Sequence, residues 1–140
     1  MSAQANKQLM QDIFAGLAVG DGRLFVQSLA ENVAMRVTGQ YSWSRTFQGK
    51  AALLKDLYGH VGSLMARPGR TIAERFIAEG DIVVVEARGD METKAGQRYD
   101  NDYCLIYRLQ DGKIVEIREY QDSTLCERIL GPFPAASAEA

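Results

Sequence analysis

Apolar residues recur at helical spacing over 7–19, where Leu9, Ile13, Phe14, Leu17 and Ala18 share one side of an amphipathic helix. Gly20-Asp21-Gly22 breaks that pattern, and Asp21 is suited to cap a second helix carrying Leu24, Phe25 and Leu29. A short strand is predicted over 33–37, followed by loop or irregular strand over 39–48 with Tyr41, Trp43 and Phe47. Helical spacing returns over 50–65, placing Leu54, Leu57, Tyr58, Val61 and Met65 on one side.

The second half changes period. Four runs rich in β-branched and aromatic residues occupy 71–78, 82–93, 98–109 and 114–120. Their separators, Glu79-Gly80-Asp81, Ala95-Gly96 and Asp111-Gly112, each hold the Gly that a tight hairpin favours. These runs predict an antiparallel meander, closed by a helix over 123–130 that Asp122 caps and Gly131-Pro132 ends. Helices first and a long meander after give the α+β class and not a parallel doubly wound sheet.

Composition narrows the partners. The 140 residues suit one domain spanning 1–140, with an ordered core over about 7–131 and a loose tail over 132–140. With 46% hydrophobic residues, 24% charged residues and a net charge of -2, no basic stripe offers itself to nucleic acid or anionic lipid. No apolar run reaches bilayer-spanning length, and the polar start Met1-Ser2-Ala3-Gln4 lacks the order of a signal peptide. Cys104 and Cys126 form no CxxC pair, so both are expected reduced and the protein cytoplasmic.

Particular residues add a likeness. Tyr99-Asp100-Asn101-Asp102-Tyr103, Asp111-Gly112-Lys113-Ile114 and Arg118-Glu119-Tyr120-Gln121-Asp122 follow one another across the meander. Trp43-Ser44 and Phe47-Gln48-Gly49-Lys50 form a second block. In this order they resemble the SnoaL-like branch of the nuclear transport factor 2-like superfamily, over roughly 7–131. The resemblance implies a cone-shaped fold, a curved sheet over N-terminal helices around a pocket, and a homodimer formed through the sheet's outer face. Val85, Cys104 and Ile106 are candidates for an apolar outer face. The resemblance does not imply one activity, because this fold hosts isomerases, cyclases, hydrolases, dehydratases and proteins without chemistry.

Candidate chemistry centres on Arg88-Gly89-Asp90. Alternation puts Glu86, Arg88 and Asp90 on one strand face, and Glu119 lies on a later strand with Val115 and Ile117 on its side. Similarity to the limonene-epoxide-hydrolase-like members implies an acid–Arg–acid relay of Asp90, Arg88 and Glu119. One carboxylate would serve as base for water, and the other, held protonated, as acid. Glu119 is longer than the Asp of that pattern, and Gly39-Gln40-Tyr41 supplies only Tyr41 toward a water-holding pair. The opposing reading makes Glu86, Arg88, Asp90 and Glu92 the solvated face of a strand, laced by cross-strand ion pairs. Carboxylates on opposite faces of the sheet would exclude the relay and favour a binding protein.

Tyr41 and Trp43 lie on the loop that would rim the pocket and are candidates for touching an apolar ligand. Asn101 either binds a ligand or satisfies a backbone group. His60 is expected on a solvated helix face, and no acid stands at 38–40, where the ketosteroid-isomerase pattern places its base. No His, Cys and acid spacing suggests a metal, and Gly20-Asp21-Gly22 lacks the strand and lysine of a phosphate loop, so no cofactor is expected. Two readings stand. One is an enzyme using cofactor-free acid–base catalysis on a small apolar or polycyclic molecule, of hydrolase, cyclase or isomerase type. The other is a SnoaL-like binding or accessory protein with a pocket and no turnover.

Overall fold

The computed structural model describes residues 1–134. The chain opens with α1 (Ala3–Leu17), which buries Met10, Ile13 and Phe14, and α2 (Arg23–Ser28), which buries Phe25. Helix α1 starts earlier than its apolar period suggests because the Ser2 hydroxyl accepts the Ala5 N–H at 3.0 Å. Asp21 accepts the Arg23 N–H at 3.1 Å at the start of α2, and the Arg23 guanidinium holds its carboxyl down at about 2. Leu29, expected in the second helix, is instead the first residue of β1 (Leu29–Val37). The irregular segment ends in β2 (Arg45–Gln48).

Next, α3 (Lys50–Ala52), a π-helical stretch (Leu53–Gly59) and α4 (His60–Leu64) run on as one helical rod. The strands β3 (Arg70–Glu79), β4 (Ile82–Asp90), β5 (Asp102–Gln110) and β6 (Lys113–Gln121) follow as an antiparallel meander. Helix α5 (Ser123–Leu130) closes the order, with Asp122 accepting the Leu125 N–H at 3.1 Å as its cap. The β5–β6 turn needs left-handed backbone at both Asp111 (φ 51°) and Gly112 (φ 76°), which Asp-Gly tolerates.

All six strands join one sheet in the order β2-β1-β6-β5-β4-β3. The sheet is not antiparallel throughout. β1 runs parallel to β6, pairing Val37 with Glu119, while β2 turns back antiparallel on the far side of β1. Thr38 fixes the end of this parallel pair, its N–H and hydroxyl both donating to the Glu119 carbonyl at 3.1 and 2.9 Å.

One face of the sheet carries the core. Val83, Val85 and Ala87 of β4 face it, as do Leu105 and Tyr107 of β5 and Ile117 of β6. Gly89 continues this face, where an added Cβ would come within 3.3 Å of the Tyr99 carbonyl and 3.5 Å of the Tyr103 ring. Val85 is therefore an inner residue with no exposed surface, a correction to its expected place on the outer face. Cys104 and Ile106 do sit on the outer face, paired with Tyr120 and Arg118. The loose tail expected over 132–140 is packed at Phe133, whose ring meets Trp43 at 4.9 Å and Phe47 at 5.7 Å. The rest of that tail, 135–140, lies outside the described residues. Among the described residues, no helix is long and apolar enough to cross a membrane.

Candidate functional site

Between the sheet and the helices lies a cavity of about 320 Å³. The apolar side of the central rod, Leu54, Leu57, Tyr58, Val61 and Met65, forms its roof, as the helical period anticipates. Phe14 and Phe25 form one wall, while Tyr103, Leu105 and Tyr107 of β5 lie beside Glu119 and Gln121 of β6.

The register sets the layout of the sheet side. Glu119 pairs with Leu105, with Tyr107 opposite Ile117 in the row on one side and Tyr103 opposite Gln121 in the row on the other. Successive rows on one face are about 6.6 Å apart along the strand. Glu119 is thus the one carboxyl at a parity otherwise held, in these rows, by apolar and aromatic residues and the neutral Gln121. It is half-buried by surface, that surface being part of the cavity wall. Burial alone raises it from 4.5 to about 7, with no hydrogen-bond donor or cation acting against the rise. Tyr107, 3% exposed, has its hydroxyl raised first by burial and then by the Glu119 charge, and it too has no hydrogen-bond partner among the described residues. Tyr58 leaves 36% of its surface at the rim but turns its hydroxyl inward to Met35 Sδ at 3.4 Å.

A polar network borders this floor. Asn101 is fully buried and lies just before β5. Its Oδ1 accepts the N–H groups of Asp102 and Asp122 at 2.8 and 3.0 Å. Its Nδ2 donates to the Tyr99 hydroxyl, Gln121 Oε1 and the Asp122 carbonyl at 3.0–3.1 Å. Tyr99 in turn donates to Gln121 Oε1 at 3.0 Å, and Gln121 Nε2 donates to the Tyr41 hydroxyl at 2.7 Å. Of the two roles open to Asn101, the structure takes the backbone one, since it bridges Asp102 and Asp122 and does not line the cavity.

The other candidates divide. Trp43 lines the cavity but is 1% exposed, its indole N–H donating to the Gly131 carbonyl at 2.9 Å, so it is wall and not rim. Tyr41 packs behind Gln121, outside the cavity lining, and burial pushes its hydroxyl up to about 12. His60 stacks on Trp43 at 5.5 Å and meets Phe133 at 5.7 Å, which corrects its expected solvated setting.

The relay is not assembled. Glu119 shares a face with Leu105 and Val85, whereas Arg88 pairs with Ile72 and Asp102 on the opposite face of the sheet. Arg88 lies 3.8 Å from Glu74, and Asp90 is held by Arg98, which also grips Asp100. Glu86 pairs with Arg75 at 2.9 Å and Glu92 with Arg67 at 3.0 Å. These are the cross-strand and surface ion pairs of the opposing reading. Val115 also departs from the expected parity, because a bulge between Arg108 and Leu109 pairs Leu109 with Ile114 and Arg108 with Glu116. From the sequence, Tyr107 reads as core or dimer packing and Gln121 carries no role of its own. The available signal was parity, since Gln121, Glu119 and Ile117 alternate with the exposed Tyr120 and Arg118. Among the described residues, no group of three or more His, Cys, Asp or Glu side chains is arranged to hold a metal ion.

Comparison with known proteins follows the architecture. Bal32a from a soil-derived mobile gene cassette is 18% identical, with a TM-score of 0.78 over 91% of this chain and 98% of its own. An NTF2-like protein from Burkholderia xenovorans LB400 is 25% identical, with a TM-score of 0.70 over 93% of this chain and 98% of its own. TerC, co-crystallised with polyporic acid, is 21% identical, with a TM-score of 0.73 over 89% of this chain and 97% of its own. Comparison with curated proteins gives no match. The model of the SnoaL-like domain matches residues 10–117, and the chain belongs to that family.

Proposed function

We propose that this protein is a SnoaL-like enzyme of the cytoplasm that moves a proton on a small, largely apolar molecule by cofactor-free acid–base catalysis in its cavity. The observation that carries this reading is Glu119, a carboxyl inside an apolar cavity, raised to about 7 by burial and free of any cation. A base poised near neutrality is ionised often enough to accept a proton and is a strong enough base to keep it. In this reading Glu119 takes a proton from a carbon next to a carbonyl. The C–H electron pair moves onto the carbonyl oxygen as an enolate, and the Tyr107 hydroxyl donates to that oxygen. The proton then returns at carbon, or the enolate carbon attacks a second carbonyl within the same molecule, whose C=O electron pair moves to its oxygen, which takes the proton back from Glu119. These are isomerase and cyclase types of chemistry. The hydrolase type loses its support, because it needs the second carboxylate and the Arg that face away. A relative crystallised with polyporic acid supports a ligand of this size and character.

The binding-protein reading keeps two observations in its favour: the carboxyls of Asp90 and Glu119 stand on opposite faces of the sheet, as expected of a binding protein, and Glu119 is the sole carboxylate among the residues lining the cavity. The two readings part on a single assay. Deuterium exchange into β-tetralone, a flat ketone with acidic C–H bonds, is expected with the wild type and lost in Glu119→Gln. Binding of β-tetralone without exchange above the buffer rate would favour the binding protein.

The reading includes a homodimer through the outer face of the sheet. Ile77, 53% exposed, pairs with Val84, which pairs with Ile106, forming an apolar row across three strands. A stable interface needs about 800 Å² per partner, which a sheet face centred on that row can supply. Sedimentation at micromolar concentration is expected to give twice the 15.5 kDa chain mass, falling to one chain in Ile106→Asp. A wild type of 15.5 kDa throughout would overturn the dimer.

A further inference from the structure

Gln121 has one amide hydrogen that meets no oxygen or nitrogen, and the network behind the cavity fixes which one. Asn101 Oδ1 accepts two backbone N–H groups, so the atom in that place must be the oxygen, and Nδ2 must face Tyr99 and Gln121. Facing a donor, Gln121 must present Oε1, which also accepts from Tyr99. The Gln121 amide is thereby locked with Oε1 toward Asn101 and Tyr99 and with Nε2 toward Tyr41 and Cys126, the second of which lines the cavity. One Nε2 proton goes to Tyr41 at 2.7 Å. The other has no oxygen or nitrogen acceptor among the described residues. It meets only the Cys126 thiol in the cavity wall, a weak sulfur acceptor that a ligand oxygen would outcompete. The Tyr41 hydroxyl proton is also unspent, but Tyr41 is not part of the cavity wall, whereas Gln121 is.

We propose that Gln121 is a ligand-binding donor in the cavity, and that the buried Asn101, which lies outside the wall, is the positioning residue that sets its direction. The ligand class follows from the layout. Tyr107 and Gln121 stand in the rows on either side of Glu119. A fitting ligand is a flat, largely apolar molecule with one oxygen acceptor at the Tyr107 end and a second at the Gln121 end. This rests on the reading of the cavity as a ligand site, but not on Glu119 performing chemistry.

Two probes of nearly equal shape test it. Duroquinone carries carbonyl oxygens at opposite ends of its ring, and durene is the same tetramethyl ring without them. Neither offers a proton to move next to a free carbonyl carbon, so their affinities report recognition apart from turnover. A loosened pocket weakens both alike, so the affinity ratio is the readout. The wild type is expected to prefer duroquinone. Gln121→Glu keeps the oxygen that Tyr99 and Asn101 need and removes the amide donor on the Cys126 side, and it should lower the ratio roughly fivefold. Asn101→Asp changes nothing in the wall. It still accepts the two backbone N–H groups, but it turns an acceptor toward Gln121, so the amide reverses and the ratio should fall similarly. If Asn101→Asp does not fold, Gln121→Glu decides alone. An unchanged ratio in Gln121→Glu, equal wild-type affinities, or no binding of either probe at its solubility limit would overturn the proposal. A ratio retained in folded Asn101→Asp would overturn the positioning role. If the ratio behaves as expected while β-tetralone exchange fails, the acid–base reading falls and this one stands.

Discussion

Glu119→Gln is expected to lower the deuterium exchange of β-tetralone by roughly a hundred- to ten-thousandfold, the range that a positioned general base contributes. The substitution keeps the shape and removes the proton acceptor, so affinity for the ketone should change little while the turnover number collapses. In the wild type the rate should rise with pH through about 7 and level off above it, because the base must be ionised. Tyr107 is raised by burial and by Glu119, so its hydroxyl stays protonated over that whole range and remains a donor. Exchange that persists in Glu119→Gln would place the chemistry elsewhere or in solution.

The second large effect needs no ligand. Glu119 binds its proton more tightly folded, at about 7, than its ordinary value of 4.5. Below 4.5 both folded and unfolded chains hold the proton, and this carboxyl makes stability independent of pH. Between 4.5 and 7 the unfolded chain ionises first, so stability falls as pH rises. Above 7 both forms are ionised and the loss is complete, on the order of 3 kcal/mol for a shift of this size. Asp21 and Asp100 are held below the ordinary carboxylate value by Arg23 and Arg98, so their contribution is lost at acid pH, outside this window. Glu119→Gln has no proton to lose. Relative to the wild type it should therefore gain stability from pH 5 to pH 8, read as diverging urea midpoints. Parallel midpoints across that range would show that burial does not burden the carboxyl.

Much of the fold was legible because local patterns and the final packing agree. The Asp-Gly turn, the Asp122 cap and the apolar side of the central rod each serve in the structure the role their sequence suggests. The parallel pairing of β1 with β6 was not legible, since nothing within 29–37 or 113–121 encodes a partner so distant in sequence. The catalytic trio failed for a related reason. Alternation placed Glu86, Arg88 and Asp90 on one face, but which face depends on register across β4, β5 and β6. Val83 and Val85 before them and Ala87 between them already claimed the core side, so parity favoured the solvated reading of the charges. The place of Glu119 in the cavity wall was legible for a different reason than the relay: it is the acid on an inward-facing row. The Asn101–Gln121 lock could not be read, because its direction comes from two backbone N–H groups brought together by the fold.

The proposed chemistry requires a single carboxyl in the apolar cavity to be poised near neutrality. Its most direct test is the carbon NMR titration of the glutamate side-chain carboxyls in the wild type, with Glu119→Gln used to assign the resonance. A Glu119 midpoint near 7, well apart from the other glutamates, is the expected result. A midpoint at the ordinary value of 4.5 would contradict the account, because such a carboxyl would be solvated and would not be the working base of this cavity.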